Sequence, residues 1–206
     1  MIRIDHVLIA TTDLQLGARQ LLAGHRLESV EGGRHPRWGT TNRIAPIGAQ
    51  YLELVAVYDR ELAAANPFGR AVLAEADPDS LRPLAVCLAV DDLTEVGRRL
   101  RLPPRAGSRT LPSGEVVSWR SVGMEAAFSA RRLPFFIAWD EPGRHPSRSG
   151  PRNLPLAIAR VEVGGDEAQL RAWLGEDVAG LAAVGGAPGV LGLELADPDG
   201  GLVQLS

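Results

Sequence analysis

Apolar residues recur along the chain in runs of strand length, separated by shorter patches with helical spacing. IRIDHVLIATTDL opens with an Ile- and Val-rich run, the pattern of a strand with a buried face. LQLGARQLLAG then places Leu14, Leu16, Ala18, Leu21 and Leu22 at mostly helical spacing, with Asp13 as N-cap and Gly24 as C-terminal stop. HRLESVEGG, TTNRIAPI and QYLELVAVY read as three more strands, so residues 1–60 predict the order βαβββ. ELAAANPFGRAVLAEADPDS, within 61–83, reads as a helical connector broken by proline and aspartate turns.

A second opening follows in LAVCLAVDDLTEVGRRL, again a strand, an Asp cap and a short helix. It matches the first when Asp13-Leu14 and Asp92-Leu93 are superposed. A loop rich in Pro, Gly and Arg leads to two strands, GEVVSWRSVG and LPFFIAWDE. LPLAIARVEV and the helix DEAQLRAWLG start a third stretch, closed by VLGLELADPDGGLVQLS, two strands around an Asp-Pro-Asp-Gly turn. Residues 84–206 are read together as a second, altered module with extra strands and a helix. Strands recurring with single helices favour an α+β arrangement over a doubly wound parallel sheet.

Composition narrows the function classes. The chain has 206 residues, 45% of them apolar, and a formal charge of −3. That predicts a packed core and gives no electrostatic footprint for nucleic acid. No apolar run is long enough to span a bilayer and the N-terminus lacks a signal-peptide cleavage region, so the expected setting is cytoplasmic, with no membrane partner. The single Cys87 precludes an internal disulfide. All 22 basic residues are arginine. Without lysine, a pyridoxal phosphate anchor and a Walker-type phosphate site are impossible, and no G-x-G-x-x-G follows a strand; neither cofactor is expected.

IDHVLIATTDL, the βαβββ order, the second LAVCLAVDDL and the terminal ADPDGGLVQL resemble the vicinal oxygen chelate superfamily, which includes glyoxalase I, extradiol dioxygenases, epimerases and bleomycin-resistance proteins. The run from His6 through GGRHPRWGTTN to YLELV further resembles its glyoxalase-like domain branch. The resemblance implies paired βαβββ modules whose curved mixed sheet encloses a central cup. It also implies one divalent metal (Zn, Ni, Mn or Fe), held by a His or Glu on the first strand and a Glu on the last strand of each module. Dimers are common in the superfamily, so a homodimer is an expected assembly.

His6 and Glu53 match the ligand positions of the first module and are the candidates for metal binding and catalysis. An acidic residue inside an apolar strand is costly unless paired or ligated, which makes Glu53 the more telling. By alternation His6 should share a face with Ile4 and Leu8, and Glu53 with Tyr51 and Val55. The second module departs from the pattern: Ala85 falls on His6, and Gln204 stands where the closing strand should carry Glu. His35, Trp38, Asn42, Trp139 and His145 are the candidate substrate contacts, with EGGRHPRWGTTNRI read as a loop over the cup. Cys87 reads as an inert core thiol, and Glu115 and Glu194 as strand carboxylates able to serve as a base or to face solvent. Arg34, Arg37, Arg43, Arg144 and Arg148 would favour an anionic ligand if they converged, and a solvated surface if not. Two functions remain open: a metal-dependent lyase, isomerase or dioxygenase acting on a small oxygenated molecule, or a protein that sequesters such a molecule without turnover.

Overall fold

The first strand, β1 (Ile2–Ala10), owes its burial to having neighbours on both edges: parallel β4 (Gln50–Val57) on one, antiparallel β5 (Pro83–Val90) on the other. The structure, a computed structural model, describes residues 1–151, 153, 157–197 and 199–205. Between β1 and β4 lie α1 (Leu14–His25), β2 (Val30–His35) and β3 (Thr40–Ile47). After the helices α2 (Arg60–Ala64) and α3 (Pro67–Glu75), the same order repeats from β5: α4 (Leu93–Leu100), β6 (Arg105–Thr110), β7 (Val116–Val122), the short α5 (Met124–Ala127) and β8 (Phe135–Trp139). The eight strands close into a barrel, β1-β4-β3-β2-β6-β7-β8-β5.

Local chemistry sets the repeat. Asp13 and Asp92 each accept a hydrogen bond from the backbone N–H three residues on, at 2.7 and 2.9 Å, capping α1 and α4 where the sequence placed them. The α1 stop differs from the expected Gly24. The helix runs through it to His25 and ends at Arg26, whose left-handed backbone (φ 56°) lets its N–H reach the last turn.

Within residues 84–206, expected as one altered module with extra strands and a helix, the strands fall into two sheets. The barrel is complete at Trp139, and β9 (Ala157–Gly164), α6 (Glu167–Leu174), β10 (Leu181–Val184), β11 (Gly189–Ala196) and β12 (Leu202–Gln204) form a separate sheet ordered β10-β9-β11-β12. Its Val161, Leu193 and Leu195 pack with Ile4, Val7, Leu88 and Val90 on the outside of the barrel, so this sheet covers the cup's wall and contributes nothing to its interior. Residues 154–156 of the expected third opening, and Pro198 of the closing turn, lie outside the described residues.

RAGSRT, the β6 strand, carries no apolar alternation, and its sequence alone predicts a loop. Ladder pairing makes it a strand: it is held along its length by β7 and joins β2 at Arg34↔Thr110. Gly107 is required there, since a Cβ would run into the Trp119 indole opposite. No helix among the described residues is long and apolar enough to cross a membrane.

Candidate active site

The barrel interior is a cup lined by His6, Leu8, His35, Asn42, Tyr51, Glu53, Arg109 and Trp119, with Phe135, Ile137 and Trp139 on the β8 side. Phe68 of α3 and Met124 of α5 complete the lining, along with Trp38 from the β2–β3 turn. The cup is a narrow cavity of about 30 Å³.

EGGRHPRWGTTNRI is therefore wall, not lid. His35 ends β2, Asn42 lies on β3, and only residues 36–39 turn between them. Its polar side chains at alternate positions resemble a solvated loop in sequence, but they point into a barrel rather than to water. Glu53, Tyr51 and Val55 do share the inner face, and so do His6 and Leu8, but Ile4 does not. A register shift between Ile4 and His6 against β5 turns Ile4 outward to the second sheet.

Glu53 is the hub. His6 Nε2 lies 3.3 Å from Oε2, Asn42 Nδ2 donates to Oε1 at 2.6 Å, and His35 Nε2 faces Oε1 at 3.8 Å. A carboxylate can only accept, which fixes the Asn42 amide orientation; its Oδ1 lies against Gly32, where a side chain would not fit. Behind His6, Nδ1 bonds to Asp5 Oδ1 at 2.6 Å, and Tyr51 stacks on the ring at 4.4 Å. Asp5 Oδ2 accepts from Trp139 Nε1 and from His145 Nε2, both at 3.1 Å. The backbone N–H of Ser147 donates to His145 Nδ1, so the bond to Asp5 uses the Nε2–H of that ring. His35 Nδ1 is engaged by Thr40 Oγ1 at 3.0 Å, leaving Nε2 aimed into the cup.

These partners push the two cup histidines apart. Burial opposes charge on His6, but Cys87 and its hydrogen bonds to Asp5 and Glu53 raise its pKa well above the ordinary value. Burial lowers His35 to about 4, with the nearby Arg109 adding to the effect against the pull of Glu53. Burial works against the Glu53 carboxylate, yet hydrogen bonding and charge from His6, then His35 and Asn42, hold it down at about 2. Asp5 is likewise lowered against its burial, by His145 and His6. At neutral pH the hub is an imidazolium between two carboxylates, with a neutral imidazole alongside.

Several sequence candidates lie elsewhere. His145, expected in the cup, stands behind Asp5 on two short 3₁₀ turns, Pro142–Arg144 and Pro146–Arg148. Gln204 pairs with Glu194 in the second sheet and plays no part in the barrel. The last strand of the second barrel module is β8: Cys87↔Phe135 repeats the Leu8↔Glu53 register, so Phe135 takes the place of Glu53. Together with Ala85, the second module thus offers no ligand at either position. The five arginines do not converge: Arg34 stacks on Tyr58, Arg43 bonds Ser29, Arg144 pairs with Glu115 and Glu141, and Arg37 and Arg148 are exposed. Asp5 and Arg109 enter the site without having been singled out from the sequence, Tyr51 had been noted only for sharing a face with Glu53, and Cys87, expected as an inert core thiol, lies beside His6. Asp5, next to His6 in an apolar strand, carried the same signal as Glu53; Arg109 carried none, since its strand was not recognised.

A divalent ion is what the resemblance implies for such a cup, and the donors present fit one. Asp5, His6 and Cys87 each bring a ligand atom within 4.8 Å of the others, and Glu53 adjoins His6. Asp5 serves such a site either as a ligand or, through its bond to His6 Nδ1, as the outer support that ligating imidazoles commonly have, and the mixed imidazole, carboxylate and thiol set suits zinc or a similar ion. An ion there must displace the His6 proton, and burial, which pushes the Cys87 thiol up to about 12, must be overcome if sulfur joins.

Comparison with known proteins agrees with this architecture. A hypothetical protein from Staphylococcus aureus superposes with a TM-score of 0.68 at 17% identity, covering 99% of this chain and 85% of its own. A variant methylmalonyl-CoA epimerase from Streptomyces coelicolor, in complex with 2-nitronate-propionyl-CoA, gives a TM-score of 0.48 at 15% identity, covering 68% of this chain and 98% of its own. No curated protein matches. The profile of the glyoxalase-like domain covers residues 4–178, and the chain belongs to that family.

Proposed function

We propose that this protein is an enzyme that binds a small oxygenated molecule in the cup and moves a proton on it, an isomerase or lyase chemistry. The observation that carries the reading is the pair of histidines facing different oxygens of one buried carboxylate, with His6 raised and His35 lowered in pKa. Paired groups whose environments push their pKa values apart supply an acid and a base at one pH.

His35 is the proton acceptor at Nε2, because its other nitrogen is held by Thr40 and the ring is neutral. Glu53 is a weaker base, already occupied by Asn42 and His6; it orients both histidines and holds the His6 charge. His6 returns a proton from Nε2, while Asp5 and the Tyr51 ring fix its plane. Trp38, Trp119 and Trp139 exclude water from the exchange. With a divalent ion bound, His6 and Glu53, with Cys87 beside them, would hold it in place of the His6 proton, and the ion would take over the role of that proton by polarising a substrate oxygen.

The test is proton exchange in D₂O, followed by NMR across small 2-oxo and 2-hydroxy compounds, with the metal content of the same preparation measured. Wild type should wash deuterium into a carbon next to an oxygenated one, and His35→Gln should stop this while leaving ligand protection against heat intact. Protection by ligand with no exchange in any compound would favour the second reading, sequestration, to which the largely aromatic lining also lends itself.

A further inference from the structure

Arg109 is a buried cation that the surrounding protein leaves unanswered. It is 3% exposed, its Nε is buried without a hydrogen-bond partner, and among the described residues no carboxylate pairs with it. It nevertheless lines the cup. Every other charged group of the site has partners: Asp5 has three donors, Glu53 has His6 and Asn42, and His6 has both carboxylates. Its place in the ladder is informative as well. Arg34↔Thr110 is the one pair joining β2 to β6, and the next step of that antiparallel register sets His35 opposite Arg109, both facing inward.

We propose that the cup's ligand is a small organic carboxylate whose two oxygens bind Arg109, placing the neighbouring carbon beside His35. A guanidinium presents two parallel N–H donors that match a carboxylate, and it cannot relieve its burial by losing a proton. The carboxylate of Glu53, paired with His6 and Asn42, shares the cup and repels a dianion more than a monoanion, which favours carboxylate over phosphate. The narrow cavity and the walls of Trp38, Trp119 and Phe68 call for a compact, apolar or flat body behind the carboxylate. The assignment rests on the reading of the cup as a substrate site and names the class of molecule it takes.

The experiment measures thermal unfolding of the whole chain with lactate, mandelate and phenylacetate, each beside its neutral amide, and with inorganic phosphate. In wild type at least one carboxylate should protect, and its amide should need at least a tenfold higher concentration for the same shift. Arg109→Met should erase that preference, and Arg109→Lys should keep part of it. Without ligand, Arg109→Met should melt at or above the wild-type temperature, because an unpaired buried charge is removed. An Arg109→Met protein that melts lower or fails to fold assigns the residue to the scaffold and overturns the proposal. Equal protection by acid and amide, or stronger protection by phosphate, overturns it while leaving the cup a ligand site. No protection by any compound removes both readings.

Discussion

His6 Nε2 stands 3.3 Å from Glu53 Oε2, with both side chains shut inside the barrel. An ion pair so placed has lost its water, so each partner depends on the other for most of its solvation. That dependence is measurable from either side.

Glu53→Ala leaves the His6 charge facing Asp5 alone and strands the Asn42 amide. Removing one member of a buried pair costs on the order of 3–5 kcal/mol, and urea unfolding at pH 7 should show a loss of that size. Glu53→Gln keeps the shape and should cost less. A loss within about 0.5 kcal/mol, the range of ordinary surface changes, would mean that the pair does not hold the cup together.

Stability should fall on both sides of neutrality, for different reasons. His35 is lowered from 6.5 to about 4, so the folded state binds fewer protons than the unfolded one between those values. Its contribution is complete above pH 6.5 and is lost as pH falls through about 4, amounting to about 3 kcal/mol. Asp5 and Glu53, lowered from 3.8 and 4.5, begin to withdraw theirs only below those values. His6 is raised, so its contribution is full below 6.5 and fades as pH climbs through its folded value. His35→Gln should flatten the slope between pH 6.5 and 4 and leave the steeper loss at lower pH. An unchanged slope would show that His35 is not held neutral by the fold.

Those groups differ in how readily the chain announced them. Glu53 and His6 were visible because a charged or polar residue interrupts an apolar strand, and such an interruption demands a partner wherever the strand is buried. The Asp13 and Asp92 caps repeated at matching places, which made the duplication and the α+β class legible. Arg109 was hidden because β6 is a strand by pairing rather than by composition, and barrel closure is a non-local property. His35 carries recognisable chemistry but falls in a segment that looks like a solvated turn, since inward polar alternation in a barrel resembles one, whereas Asn42 falls in the strand candidate TTNRIAPI. Gln204 was misplaced because a third βα unit follows the barrel and its closing hairpin imitates the family's.

Gly107 offers a test of how that hidden strand is held. Its missing side chain admits the Trp119 indole, which packs on His35 and Trp139 at 6.1 and 5.4 Å between ring centres. Gly107→Ala should push the indole inward, costing roughly 1–3 kcal/mol as an overpacked site. It should also weaken ligand protection more than Gly24→Ala, a change on α1 at a site with open space around it. Equal effects of the two changes in ligand assays would detach Trp119 from the cup.

The last prediction couples Arg109 to its facing histidine. The guanidinium is one of the charges that keep His35 low, acting with burial and against Glu53. Replacing Arg109 by Met removes a nearby positive charge, so protonation of His35 becomes easier and its pKa should rise above about 4. A carboxylate seated on Arg109 should act in the same direction by neutralising that charge, bringing the base closer to working pH as the substrate arrives. NMR titration of the His35 ring in wild type, in Arg109→Met, and in wild type with saturating carboxylate reads all three states. Both perturbations should shift the midpoint upward, and adding carboxylate to the Met variant should shift it no further. A midpoint that ignores the Met substitution would break the electrostatic link between the two residues and, with it, the idea that ligand charge sets the strength of the base.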